Sequence, residues 1–127
     1  QEDRGTEEIS RRKEVKEMRV AVATVRDKGL EDVVSPHFGH TKSFTIIEIE
    51  DGKVKTFEVI SNPAEALTHK RGLTIAKTLA NKNVDAVILS EMGPGASAAL
   101  QQFGIKTLIV RPGQKVKDAL RELGLIT

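Results

Sequence analysis

Residues 84–110 read VDAVILSEMGPGASAALQQFGIKTLIV, and the fold turns on how that stretch is parsed. VDAVILS (84–90) is a short, β-branched apolar run of the kind that a sheet covers on both faces. The glycine-rich MGPG (92–95) ends it, ASAALQQF (96–103) fits one short helix, and Gly104 suits a left-handed helix end. IKTLIV (105–110) is again an apolar run. Two strands joined through a helix pair in parallel, with a right-handed crossover. This unit commits the chain to an α/β fold.

Working outward, RVAVATV (19–25) is another fully covered strand. FTIIEIE (44–50) and KVKTFEVI (53–60) flank Asp51-Gly52, a strong signal for a tight antiparallel hairpin. After an Asn62-Pro63 turn, the spacing of Leu73, Ala76, Leu79 and Ala80 predicts a helix over about 70–82. KVKDALREL (115–123) aligns Val116, Ala119, Leu120 and Leu123 on one side and is closed by Gly124. The order β-β-β-α-β-α-β-α predicts a five-stranded mixed sheet with an antiparallel hairpin and helices on both faces. That is a three-layer α/β/α sandwich.

Residues 1–17, QEDRGTEEISRRKEVKE, have a different character. They carry six acidic and five basic side chains and only two sizeable apolar ones, Ile9 and Val15. Such a segment reads as a mobile or frayed-helical tail, or as a helix that docks on a partner. Residues 18–127 read as a single domain.

Composition narrows the chemistry. The chain has no cysteine, so thiolate nucleophiles, disulfides and thiolate metal sites cannot be built from it alone. A net charge of +2 with four Phe and no Tyr or Trp argues against a nucleic-acid surface. No apolar run reaches the ~18 residues of a membrane span. The charged start does not resemble a secretion signal, and the expected location is the cytoplasm. There is no G-x-S-x-G, and the central strand RVAVATV holds no carboxylates for a two-metal site. Asp27, Glu31 and Asp32 follow it in a mixed-charge loop, leaving a small hydrolase or nuclease as the weakest of the readings.

In an open α/β sheet, ligands bind beyond the carboxyl ends of the parallel strands. Two segments should meet there. SPHFGH (35–40) places His37 and His40 three residues apart in a loop specified by Pro36 and Gly39, with Phe38 as its core anchor. Both imidazoles could face one metal, or the turn could be an ordered loop whose histidines bond locally. SEMGPGAS (90–97) sets Gly93 and Gly95 at a helix start, where free N–H groups suit an anion, or where the chain simply turns tightly. His69, beside Lys70 and Arg71, is a third candidate ligand if the chain brings it over.

Residues 18–127 resemble the dinitrogenase iron–molybdenum cofactor biosynthesis family, which includes NifX-type carriers, the NafY core domain and the C-terminal domain of NifB. The resemblance is carried by the MRVAVAT start, SPHFGHTKSFTIIEI, the Asn62-Pro63 turn, VDAVILSEMGPGASAALQQFGIKTLIV and the final KVKDAL helix. This chain has Thr41 where the family often has Ala. The resemblance implies a ribonuclease H-like three-layer fold and a non-catalytic carrier of an iron–sulfur or iron–molybdenum–sulfur precursor, exchanged with cluster donor or acceptor proteins. It implies that His37, Phe38, Gly39 and His40 contact the cargo, His37 and His40 as metal ligands. Gly93 and Gly95 would lie opposite, and Lys42, Lys70 or Arg71 would balance an anionic cluster. The alternative is a regulatory or protein-interaction module of the same fold without metal cargo.

Overall fold

Alternation along the first strand assigns its side chains to two separate cores, and the rest of the architecture follows. A computed structural model describes residues 17–127. β1 (Glu17–Thr24), β2 (Ser43–Glu50) and β3 (Lys53–Ser61) come first; α1 (Arg71–Asn81), β4 (Ala86–Leu89), α2 (Pro94–Gln102), β5 (Lys106–Ile109) and α3 (Val116–Glu122) follow. A short 3-10 turn, Gly29–Glu31, interrupts the connection after β1. The tail expected over 1–17 lies outside the described residues except for Glu17, which opens β1.

The sheet order is β3-β2-β1-β4-β5. β1 pairs antiparallel with β2 and parallel with β4; β2 and β3 are antiparallel, β4 and β5 parallel. Connection length explains the change of sense across β1. Asp51 and Gly52 link β2 to β3 with φ of 52° and 75°, a tight turn that permits only an antiparallel return. The later strands are separated by whole helices, which carry the chain back for parallel pairing.

Ala21, Ala23, Phe44, Ile46, Val87 and Leu89 pack with Ile75, Ala76 and Leu79 of α1 and Ala99 and Leu100 of α2. Val20, Val22, Ile47, Ile49 and Ile88 pack with Val116, Ala119 and Leu120 of α3. Each fully buried Leu or Ile contributes about 1.5–3 kcal/mol relative to exposure. Helices of 7 to 11 residues are marginal by themselves, so these two cores are what fix them. This is the three-layer sandwich expected from the sequence.

α1 and α2 approach closely at their first turns. A Cβ on Gly72 would fall 2.7 Å from the Cα of Ala96. Only glycine lets the two helix starts approach this far.

Candidate functional site

The strand sense brings four connections to one end of the sheet, the last of them leading from β5 into α3. β1 and β4 end there at Thr24 and Leu89, β2 begins there at Ser43, and β3 ends there at Ser61. α1 and α2 both start from that end.

The connection after β1 crosses this rim like a strap. It first doubles back on β1, with Thr24 bridging Val34 and the Ser35 amide donating to the Ala23 carbonyl at 2.8 Å. Val34 is buried in the core under α3, while Phe38, four residues on, is buried in the core under α1 and α2. Phe38 meets Phe44 edge to face, with ring centroids 5.6 Å apart. The strap is therefore anchored on both sides of the sheet. His37 and His40, flanking the anchor, are left exposed.

Buried polar side chains hold the strap in shape. Among the described residues these are Thr24, Asp32, Ser35, Thr41, Ser43, Thr45 and Asn62, and all belong to this end. Asp32 accepts from the amides of Arg26, Lys28 and Val33 at 2.7–3.3 Å. The Thr41 hydroxyl donates to the Thr24 carbonyl at 2.6 Å, and Ser43 Oγ donates to the Arg26 carbonyl. Ser90 Oγ, just beyond β4, donates to the Ser35 carbonyl at 3.1 Å. Asn62 spans the site from the far side. Its Nδ2 donates to the carbonyls of Gly39 at 3.0 Å and Thr41 at 2.8 Å, and its Oδ1 accepts from the Ala64 amide at 2.8 Å. Each of these buried groups would otherwise be unsatisfied at a cost of about 1–3 kcal/mol. The result is a loop as specified as a strand.

An open cleft of about 460 Å³ lies between the strap and the helix starts, lined by Pro36, His37, Phe38, Gly39, His40, Arg71, Glu91, Met92, Gly93 and Ala96. The HFGH turn and the glycine-rich start of α2 thus face one space. Arg71, the first residue of α1, donates to the Gly39 carbonyl at 3.0 Å and to the Glu65 carbonyl at 3.4 Å. Neither α1 nor α2 has a side-chain cap: the residues before them are Lys70 and Gly93. Arg71 at the start of α1 and Gly93 and Ala96 at the start of α2 line the cleft, so two helix ends of positive partial charge border it. The chemistry available is two exposed imidazoles, the Glu91 carboxylate, the Arg71 guanidinium and the positive partial charge of two helix starts.

His69 and Gly95 do not line this cleft, nor do Lys42 and Lys70. His69 stands in the exposed segment before α1, and Gly95 sits inside the first turn of α2. Arg71, Glu91 and Met92 do line it, and sequence reasoning left the last two without a role. Among the described residues no group of three or more His, Asp or Glu side chains is arranged to hold a metal ion. Two of the three loop carboxylates are occupied structurally, Asp32 as above and Glu31 in an ion pair with Lys117 at 3.0 Å, while Asp27 is exposed and does not line the cleft. The hydrogen bond and charge of Lys117, with Lys115 adding to them, hold the Glu31 carboxyl below its ordinary range. Larger depressions of about 880 and 700 Å³ lie at the opposite end of the sheet, around Glu17, Met18, Asp85 and Gly104. They contain no histidine, so size does not decide the site here; donor chemistry does.

Among the described residues no helix is long and apolar enough to cross a membrane. Comparison with known proteins is in keeping with the fold. The uncharacterized protein MJ0580 of Methanocaldococcus jannaschii is 43% identical over 72 residues, covering 57% of this chain and 61% of that protein. The chain thus spans about three-fifths of the length of that relative. The apo form of the orange protein from Desulfovibrio gigas superposes with a TM-score of 0.74 at 28% identity, covering 87% of this chain and 91% of the other. A candidate NifB protein from Thermotoga, TM1290, superposes with a TM-score of 0.68 at 28% identity, covering 84% and 87%. The family model described as dinitrogenase iron-molybdenum cofactor matches residues 18–124. On a match of that extent, the chain belongs to the dinitrogenase iron–molybdenum cofactor family.

Proposed function

We propose that this chain is a cytoplasmic, non-enzymatic carrier that takes up an iron–sulfur or iron–molybdenum–sulfur cofactor precursor at the strap-and-helix cleft and passes it on. The observation that carries this reading is the pairing of His37 and His40 with two uncapped helix starts across one open space. Metal–sulfur clusters are bulky anions with few free coordination positions. Imidazole suits their metals, and converging helix N-termini suit their charge. Family membership supports a cofactor-handling role, and so does a similar protein whose structure is designated an apo form.

Two exposed imidazoles hold a cluster weakly compared with four thiolates, and weak holding is what delivery requires. Cargo would arrive from a donor protein and leave to an acceptor, both docking over the open side of the cleft. Anaerobic reconstitution with iron and sulfide, followed by optical and EPR spectroscopy and by transfer to an apo acceptor, tests the reading. Uptake with subsequent transfer supports it. A chain that takes up no cluster, or keeps it against every acceptor, contradicts it.

A second reading, an interaction module without metal cargo, draws on the apolar side chains exposed on the two edge strands, Phe57 of β3 and Ile109 of β5. A stable partner in pull-down together with no cluster uptake would favour it.

A further inference from the structure

We propose that Arg71 is the charge-reading residue of the cleft, parked on carbonyls that do not depend on it and free to turn to an anionic cargo. The inference rests on the carrier reading for the nature of that anion and extends it to the residue that selects it.

Three observations carry it. First, the Gly39 carbonyl that Arg71 holds also accepts from Asn62 Nδ2 at 3.0 Å, so it stays satisfied when the guanidinium leaves. The second bond, 3.4 Å to the carbonyl of exposed Glu65, is long and readily replaced by water. Second, Arg71 is poorly placed for stability alone. It is the first residue of α1, next to the uncapped start of that helix and, across Gly72, to the start of α2. A cation there faces two positive helix ends, where a carboxylate would be favoured. Third, among the described residues no carboxylate forms an ion pair with Arg71, although Glu91 lines the same cleft.

The division of labour follows. Asn62 holds the strap, Arg71 supplies mobile charge, and the imidazoles supply metal ligands. A guanidinium also presents a planar fork of donors, suited to the several exposed sulfides of a cluster face.

The test uses the full chain and three variants, Arg71→Gln, Arg71→Lys and Asn62→Ala. Without cargo, amide hydrogen exchange is read at Thr41 and Ala64. Arg71→Gln is expected to keep the parent's protection there, and Asn62→Ala to lose about tenfold or more. If Arg71→Gln loses protection as Asn62→Ala does, Arg71 is a structural strut and the inference is overturned. With an anaerobically reconstituted [4Fe–4S] cluster, Arg71→Gln is expected to weaken retention about tenfold or more and to flatten its dependence on KCl, with Arg71→Lys recovering part of both. Retention and salt dependence equal to the parent's in Arg71→Gln would overturn it. If the parent takes up no cluster, the carrier reading fails separately. The charge-reading role is then decided with inorganic sulfate, followed at the Arg71 Nε–H resonance. A saturable shift sustains it, and no shift overturns it.

Discussion

Replacing Gly72 with alanine should reverse the usual sign of a glycine-to-alanine change in a helix. In α1, alanine would ordinarily stabilise by about 1 kcal/mol through backbone entropy alone. Here the new Cβ would lie 2.7 Å from the Cα, 2.9 Å from the Cβ and 3.1 Å from the amide nitrogen of Ala96. Carbon atoms pack best at about 3.5–4.0 Å, so the first turns of α1 and α2 must separate by roughly 1 Å. All three contacts are with backbone or with a Cβ fixed to it, so no flexible side chain can yield. Overpacking of this kind costs about 1–3 kcal/mol, and a contact this short belongs at the upper end. The net expectation is destabilisation of about 2 kcal/mol, or a fall of roughly 8 °C in Tm. Gly95 is the internal control. It lies in the first turn of α2, and a Cβ added there would meet nothing within 4 Å, so Gly95→Ala should be neutral or stabilise by up to about 0.5 kcal/mol. Urea unfolding of the parent and both variants measures the differences. A Gly72→Ala protein as stable as Gly95→Ala would refute the close approach of the helix starts, and with it the geometry of the cleft.

Removing the strap's anchor with Phe38→Ala should cost about 3–5 kcal/mol, measured by the same unfolding, because a buried ring and its edge-to-face contact with Phe44 are lost together. The Glu31 carboxyl, lowered from its ordinary 4.5 by Lys117 and Lys115, gives a pH dependence of known sign. Its contribution is fully present above the ordinary value and disappears as pH falls through the lowered one. Thermal melts between pH 6 and pH 2 should show a small acid sensitivity that is missing from Glu31→Gln. The effect should be slight, since the pair is exposed and screened by salt.

The fold was legible because its signals are local and agree with one another. Asp51-Gly52 specifies a turn whose positive φ angles few other pairs adopt, and the β-branched runs around RVAVATV and VDAVILS leave no face for solvent. SPHFGH and GPGAS were legible as facing loops for a topological reason, since strands of parallel sense end at the same rim. What was not legible depends on side-chain direction over long separations. Asn62 reads as a turn residue before proline, yet its amide bonds Gly39 and Thr41, more than twenty positions earlier. The outcome for His69 and Arg71 turns on Lys70, which takes a left-handed φ of 57° just before α1. No local signal in THKRG announces that conformation, and the cleft is lined by Arg71 and not by His69. Met92 reads as loop filler from sequence, and it lines the cleft while packing against the core under α1 and α2.

In the proposed carrier the HFGH imidazoles hold the cargo. Both are exposed, so His37→Ala and His40→Ala should leave the fold intact, as circular dichroism and unfolding will show. The decisive measurement is the amount of cluster retained after anaerobic reconstitution and gel filtration, in the parent and in the double variant His37→Ala/His40→Ala. A loaded parent is expected, with a folded double variant that loses most of its cluster. A double variant loaded to the same extent would contradict it.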